Sequence, residues 1–196
     1  IPGLDTSRPT VGYISNLGER EGHVVLVEAV AELRQRGVPV NCVIVGDGPM
    51  RPAIESAVAN QSLEGQVFVT GPVPHAEVKD YYACLDVFVV PRLDDRAARY
   101  TTPLKPFEAM AMRIPLIVSD LPALLEIVGE GGERGKAFYC GSPSSLADRI
   151  QETLADSEKT SLVVDEAHRW VREERQWAHN APRYREAFEA ASATRR

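Results

Sequence analysis

The sequence predicts an α/β fold, a Rossmann-like parallel sheet of about six strands with helices on both faces, followed by C-terminal helices. Three observations predict it. Short β-branched runs alternate with longer helical patterns about six times along the chain. Several of those runs are apolar at every position, as strands covered on both faces are. Residues 157–196 carry no strand pattern and are rich in charge.

The elements follow in order. Residues 1–10, "IPGLDTSRPT", read as a linker or domain edge. A strand over 11–15 leads to a helix over 23–36, whose Val24, Leu26, Val27, Val30, Ala31 and Leu33 make a wide apolar stripe that stops at Gly37. Strands at 41–45, 67–70 and 87–90 alternate with helices at 50–60 and 76–85. The polar stretch "RLDDRAARYTT", residues 92–102, reads as irregular and carries Arg92, Arg96 and Arg99. It follows a strand directly, where open α/β sheets bind ligands, and its like charges predict mobility without one. A helix over 107–112, a strand at 115–118, a helix at 123–128, a strand at 137–139 and a helix at 144–156 complete a domain of residues 11–156. In the 157–196 extension, Trp170, Trp177, Tyr184 and Phe188 are the expected apolar anchors.

Composition narrows the function. The chain has 196 residues, enough for one domain with a sizeable core. A formal charge of −6 excludes a broad nucleic-acid surface, so any anion site must be local. No apolar run approaches the roughly 18 residues of a membrane span. Cys42, Cys84 and Cys140 are odd in number and widely spaced, which fits free thiols in a reducing compartment rather than disulfides or zinc. With no basic and apolar leader at the start, a cytoplasmic location is expected. The four histidines include no pair at metal-ligand spacing.

Two stretches invite chemistry. In "CVIVGDGPM", Gly46 and Gly48 lie between a strand and a helix, which suits either a tight turn or backbone contact with a phosphate. In "TTPLKPFEAMAM", the proline predicts a helix starting at Pro106. Lys105 then sits near the cap, with the Phe107 and Glu108 amides free beside it, a suitable place for a phosphate. Glu108 has two readings, dipole complement or bidentate acceptor for a sugar diol. Other polar residues have plainer expectations: His75 caps a turn or touches a ligand, Tyr81 and Tyr82 pack, and Asp120 caps a loop.

Taken in series, "VGDGP", "VFVTGPVPHAEVKDYYACLDVFVVP", "PLKPFEAMAM" and "PLIVSD" resemble the C-terminal, nucleotide-sugar-binding domain of retaining GT-B glycosyltransferases of family 4, also called group 1. The resemblance implies one half of a GT-B fold and sugar transfer from a nucleoside-diphosphate sugar with retention. It implies no metal or other cofactor, a missing N-terminal acceptor domain, and a role in polysaccharide or glycoconjugate synthesis. A membrane-associated acceptor, with the full-length enzyme peripheral at the inner membrane, is compatible with it. By resemblance, Glu108 holds the ribose hydroxyls, the 71–74 turn with Val73 lies against the base, Thr102 and Leu104 touch the donor phosphates, and Gly46 lies near the nucleotide.

The sequence also departs from the family's pattern. The family carries two glutamates eight positions apart, and Tyr100 stands where the first would be. In the first loop, "SNLGEREG", Asn16 stands for an arginine and Glu21 for a lysine that clamp the diphosphate. Lys105, together with Arg92, Arg96 or Arg99, is the expected replacement, and Arg20 is a weaker one. Lys105 is assigned to the charge that builds on the leaving phosphate. Two rivals remain: a degenerate, non-catalytic scaffold, and a nicotinamide-binding domain, which needs a glycine-rich turn after the first strand that "YISNLGEREG" does not supply. Unpaired C-terminal helices would leave an apolar patch that could drive self-association.

Overall fold

The structure, a computed structural model, describes residues 1–193; the last residues of the expected 157–196 extension lie outside the described residues. Six parallel strands form one sheet: β1 (Thr10–Ile14), β2 (Asn41–Val45), β3 (Val67–Val69), β4 (Val87–Val90), β5 (Leu116–Ser119) and β6 (Lys136–Phe138). Their spatial order is β3-β2-β1-β4-β5-β6. Every residue of β1, β2, β4 and β5 is buried, as the apolar runs require.

The order reverses between β1 and β4. Right-handed crossovers therefore send helices to opposite faces on either side of that point. Helices α1 (His23–Gln35) and α2 (Arg51–Asn60) pack together beside β1 and β2. Helix α3 (Val78–Tyr82) leads into β4. Helices α4 (Arg96–Tyr100), α5 (Lys105–Ala111) and α6 (Pro122–Val128) belong to the other half. Helix α7 (Pro143–Ala155) returns to pack on α1, and α8 (Ser157–Glu174) packs on α5.

Several boundaries differ from expectation, each for a local reason. Strand β1 takes in Thr10, and the preceding stretch is tied down rather than a free linker. Asn41, fully buried, must place its amide protons, and its Nδ2 donates to the carbonyls of Asp5 and Arg8 at 2.8 and 3.2 Å. The helix expected at 76–85 is a 3₁₀ turn, His75–Glu77, followed by the short α3. Residues 92–102 are not irregular throughout, because α4 forms inside them. Asp95 caps it, its Oδ1 accepting from the Ala98 amide at 2.6 Å.

Helix α5 begins at Lys105, not Pro106. A proline at the second helical position gives up only an amide that has no acceptor within the helix, so the turn forms around it. The Leu104 carbonyl accepts from the Phe107 and Glu108 amides at 3.0 and 3.3 Å. Those two amides are therefore not free for a phosphate, which corrects the sequence-based expectation.

Helix α5 is braced from behind. Trp170 of α8 is buried, stacks on Phe107 at 5.9 Å, and lies under the guanidinium groups of Arg134 and Arg175 at 4.3 and 4.5 Å. It is the one expected anchor that is buried. Trp177, Tyr184 and Phe188, on α9 (Trp177–Ala193), are exposed. Among the described residues, no helix is long and apolar enough to cross a membrane.

Candidate functional site

Ligands of open α/β sheets bind beyond the carboxyl ends of the strands where the order reverses. Here that place lies between the loop after β1, residues 15–22, and the segment after β4, residues 91–102. The two are held tightly together. Gly22 has φ +68°, and a Cβ there would sit 1.9 Å from the Pro91 carbonyl oxygen. The Leu93 amide donates to the Arg20 carbonyl at 2.8 Å. Arg20 pairs with Asp95 at 2.7 Å.

The innermost tie is ionic. Arg92 donates from Nε and Nη2 to the two oxygens of Glu21, at 3.3 and 3.1 Å. Its Nη1 reaches the Thr101 carbonyl at 3.3 Å. Both side chains are largely buried, 13% and 14% exposed. The Tyr13 hydroxyl also donates to Glu21. Burial and the Glu21 charge push the Tyr13 phenol well above its ordinary range, so it stays a donor. A cavity of about 600 Å³ opens beside this pair, walled by Asn16, Glu19, Arg20, Glu21 and Asp94 among others.

A second cluster stands at the start of α5. Glu108 Oε2 accepts from Lys105 Nζ at 3.1 Å and from the Tyr82 hydroxyl at 2.8 Å. Among the described residues, Glu108 Oε1 has no hydrogen-bond partner. An aromatic row joins the two clusters: Tyr82 to Phe88 at 5.2 Å, Phe88 to Tyr13 at 5.7 Å, and Tyr13 to His23 at 5.3 Å.

The remaining sequence candidates fall around these clusters. Asn16 lies on the cavity wall. Gly46, at φ +138°, packs where a Cβ would meet the Ser15 carbonyl at 1.9 Å, and its amide donates to the Gly71 carbonyl at 3.1 Å. The 46–50 turn therefore meets both the loop after β1 and the 71–74 turn, in which Val73 is half-buried against the core. Thr102 and Leu104 are exposed before α5. Arg99 is paired with Asp94 at 2.5 Å, while Arg96 is exposed with no ion pair among the described residues. Tyr100 is exposed. Asp120 caps its loop as expected, its Oδ1 accepting from the Cys140 amide at 2.7 Å. The like charges of the 92–102 segment are thus largely offset by nearby carboxylates.

Sequence reasoning missed the roles of Tyr13, Tyr82 and Glu21. The one signal was the pairing of two oddities, an acid where a base is usual in the first loop and an arginine directly after β4. His23 was missed as well. Its Nε2 lies 2.9 Å from Ser15 Oγ, its Nδ1 is buried without a partner among the described residues, and burial pulls its pKa from 6.5 down to about 4, against a smaller opposing pull from Glu21. The native state holds this ring neutral while the unfolded chain protonates it. His23 therefore lowers stability as pH falls from about 6.5 towards 4, and adds no further loss below that. Urea midpoints at pH 7 and pH 5 should drop less in His23→Gln than in the wild type; equal drops would count against the buried neutral ring.

Among the described residues, no group of three His, Cys, Asp or Glu side chains is placed to hold a metal ion. Comparison with known proteins then places the chain. Residues 8–156 match the sequence profile of group 1 glycosyl transferases. The chain is 30% identical over 165 residues to the alpha-D-kanosaminyltransferase of Streptomyces kanamyceticus, covering 84% of this chain and 41% of that protein. It is 28% identical over 172 residues to a GDP-mannose-dependent mannosyltransferase acting on phosphatidylinositol monomannoside in Mycobacterium tuberculosis, covering 87% and 44%. The sucrose-phosphate synthase of Thermosynechococcus elongatus superimposes with a TM-score of 0.82 at 25% identity, covering 97% and 47%. The C-terminal domain of a Francisella tularensis group 1 glycosyl transferase, LpcC, superimposes at 0.73 and 20% identity, covering 88% and 90%. The chain spans less than half the length of the curated relatives described here. With its sheet order, its switch-point site and this match over most of its length, the chain belongs to the group 1 glycosyl transferases and has the fold of the C-terminal half of a GT-B enzyme.

Proposed function

We propose that this chain is the donor-binding half of a glycosyltransferase that moves a sugar from a nucleoside-diphosphate sugar to an acceptor with retention of configuration, in polysaccharide or glycoconjugate synthesis. The observation that carries the reading is Glu108. Its carboxylate stands at the start of α5 with one oxygen held by Lys105 and Tyr82 and the other unpartnered among the described residues. A ribose diol needs an acceptor of that kind. The fold neighbour HepE of Anabaena has been crystallised with UDP and with UDP-glucose, which supports a nucleotide sugar as ligand. Curated relatives include an amylovoran and a putative teichuronic acid glycosyltransferase, which supports the biosynthetic role.

In this reading Lys105 meets the negative charge that develops on the leaving diphosphate, since protein cations rather than a metal serve in enzymes of this kind. Arg92 and Arg99 are further donor contacts. Thr102, Leu104 and Asn16 line the diphosphate path, and Val73 and Gly46 lie by the nucleoside. In this reading an N-terminal domain, which these residues do not include, binds the acceptor, and residues 1–196 by themselves turn over slowly or not at all. The exposed Trp177, Tyr184 and Phe188 would pack against that domain and, without it, promote self-association.

One observation favours a scaffold instead. Arg20, Arg92, Arg99 and Lys105 are all engaged by carboxylates, and a diphosphate must share or displace those partners. A thermal-shift titration with UDP, GDP and ADP separates the two readings. A donor site gives about 2.7 kcal/mol of stabilisation when ligand is 100-fold above Kd. Lys105→Ala should then weaken diphosphate binding by about 10- to 150-fold and leave the bare nucleoside unaffected. No stabilisation by any of the three would leave the scaffold standing.

A further inference from the structure

Tyr82 belongs to α3, while Glu108 lies 26 residues further on in α5. The Tyr82 ring is 3% exposed and packs on Phe88 at 5.2 Å. A phenylalanine would fill that space equally well. What the tyrosine adds is a hydroxyl, and that hydroxyl donates to Glu108 Oε2 at 2.8 Å. Burial and the Glu108 charge push the phenol well above its ordinary range, so it remains a donor at any physiological pH.

Lys105 binds the same oxygen, yet it cannot fix the carboxylate by itself. It sits three residues away on the same helix, at the end of a flexible four-carbon stem, and can swing with Glu108 as a pair. Tyr82 comes from a different element, and its ring is held by the core. It therefore gives the carboxylate an external reference. With Oε2 occupied by two donors, Oε1 is left for a ligand.

We propose that Tyr82 is a positioning residue that sets the Glu108 carboxylate so that Oε1 accepts from the vicinal hydroxyls of a bound ribonucleotide, and that this hydroxyl is the source of the site's preference for ribose over deoxyribose. The inference rests on the donor-site reading above. It goes beyond that reading by assigning sugar discrimination to a residue that does not touch the ligand.

The test uses the 196-residue chain and calorimetric titration with UDP, GDP and ADP and with their 2′-deoxy counterparts. The wild type should prefer the ribo form. Tyr82→Phe keeps the ring and should lose about 5- to 10-fold in ribonucleotide affinity, the scale of one hydrogen bond to a charged group acting indirectly. Its affinity for the deoxy form should hardly change, so the ribo-to-deoxy ratio falls towards one. Lys105→Met should lower affinity for both forms and keep the wild-type ratio. A wild-type ratio in Tyr82→Phe, or a ratio lost in Lys105→Met, would overturn the assignment while leaving the donor site intact. A wild type that binds no nucleoside diphosphate would overturn the donor-site reading and this inference together. Far-ultraviolet circular dichroism of each variant confirms that the fold is retained before the ratios are compared.

Discussion

Glu21→Ala is expected to destabilise the fold by about 3–5 kcal/mol, as removal of one partner from a buried ion pair does. Glu21 accepts from two nitrogens of Arg92 and from the Tyr13 hydroxyl, and both charged side chains are nearly out of water. Without the carboxylate, the Tyr13 hydroxyl and two of the Arg92 nitrogens lose their acceptor, and the guanidinium keeps only the Thr101 carbonyl. Solvent screening, which reduces surface pairs to about 1 kcal/mol or less, is weaker at this largely buried pair. Arg92→Ala should cost a similar amount. The double variant Glu21→Leu/Arg92→Leu removes both charges, and its loss should be far smaller than the sum of the single losses. Urea denaturation of the three variants measures this. Additive losses would show that the two side chains are not coupled, and that the loops after β1 and β4 are held by the Arg20–Asp95 pair and by backbone contacts.

Gly22→Ala is the second large effect, at about 3 kcal/mol or more. Two costs combine at this position. The backbone is left-handed, at φ +68°, and an added Cβ would fall 1.9 Å from the Pro91 carbonyl oxygen, a backbone atom that cannot swing aside. The melting temperature should fall by about 6–12 °C for a chain of this size. Gly37→Ala is the control. It is also left-handed, at φ +77°, but nothing lies within 4 Å of its added Cβ, so only the conformational cost remains. Equal losses at the two glycines would mean that the approach of the first loop to the end of β4 is not a real constraint. A larger loss at Gly22 would show that the floor of the candidate site is built by backbone contact, which a side-chain motif does not reveal.

Helix α1 shows what was legible in the sequence. Its apolar stripe and the glycine after it were sufficient, because helical periodicity and a stop residue are local properties. The all-apolar strands announced a parallel sheet for the same reason. The closeness of Lys105 and Glu108 was also legible, since three residues separate them at the start of one helix, although the sequence put Lys105 just outside the helix that it begins. Local pattern failed where a short-range choice depended on distant partners. Residues 92–102 looked irregular and repulsive, yet Asp95 caps a helix there, and Glu21, 71 residues before Arg92, neutralises it. The Phe107 and Glu108 amides looked free, until the extra helical residue at Lys105 gave them the Leu104 carbonyl. Tyr82 looked like packing because nothing near it in the chain needs a hydroxyl. The sequence by itself determined the order of elements, the class of fold and the helix that carries the acidic group. Tertiary structure alone decided which charge answers which and which hydroxyl holds which carboxylate, because those pairings form only when β1, β4, α3 and α5 close around one point.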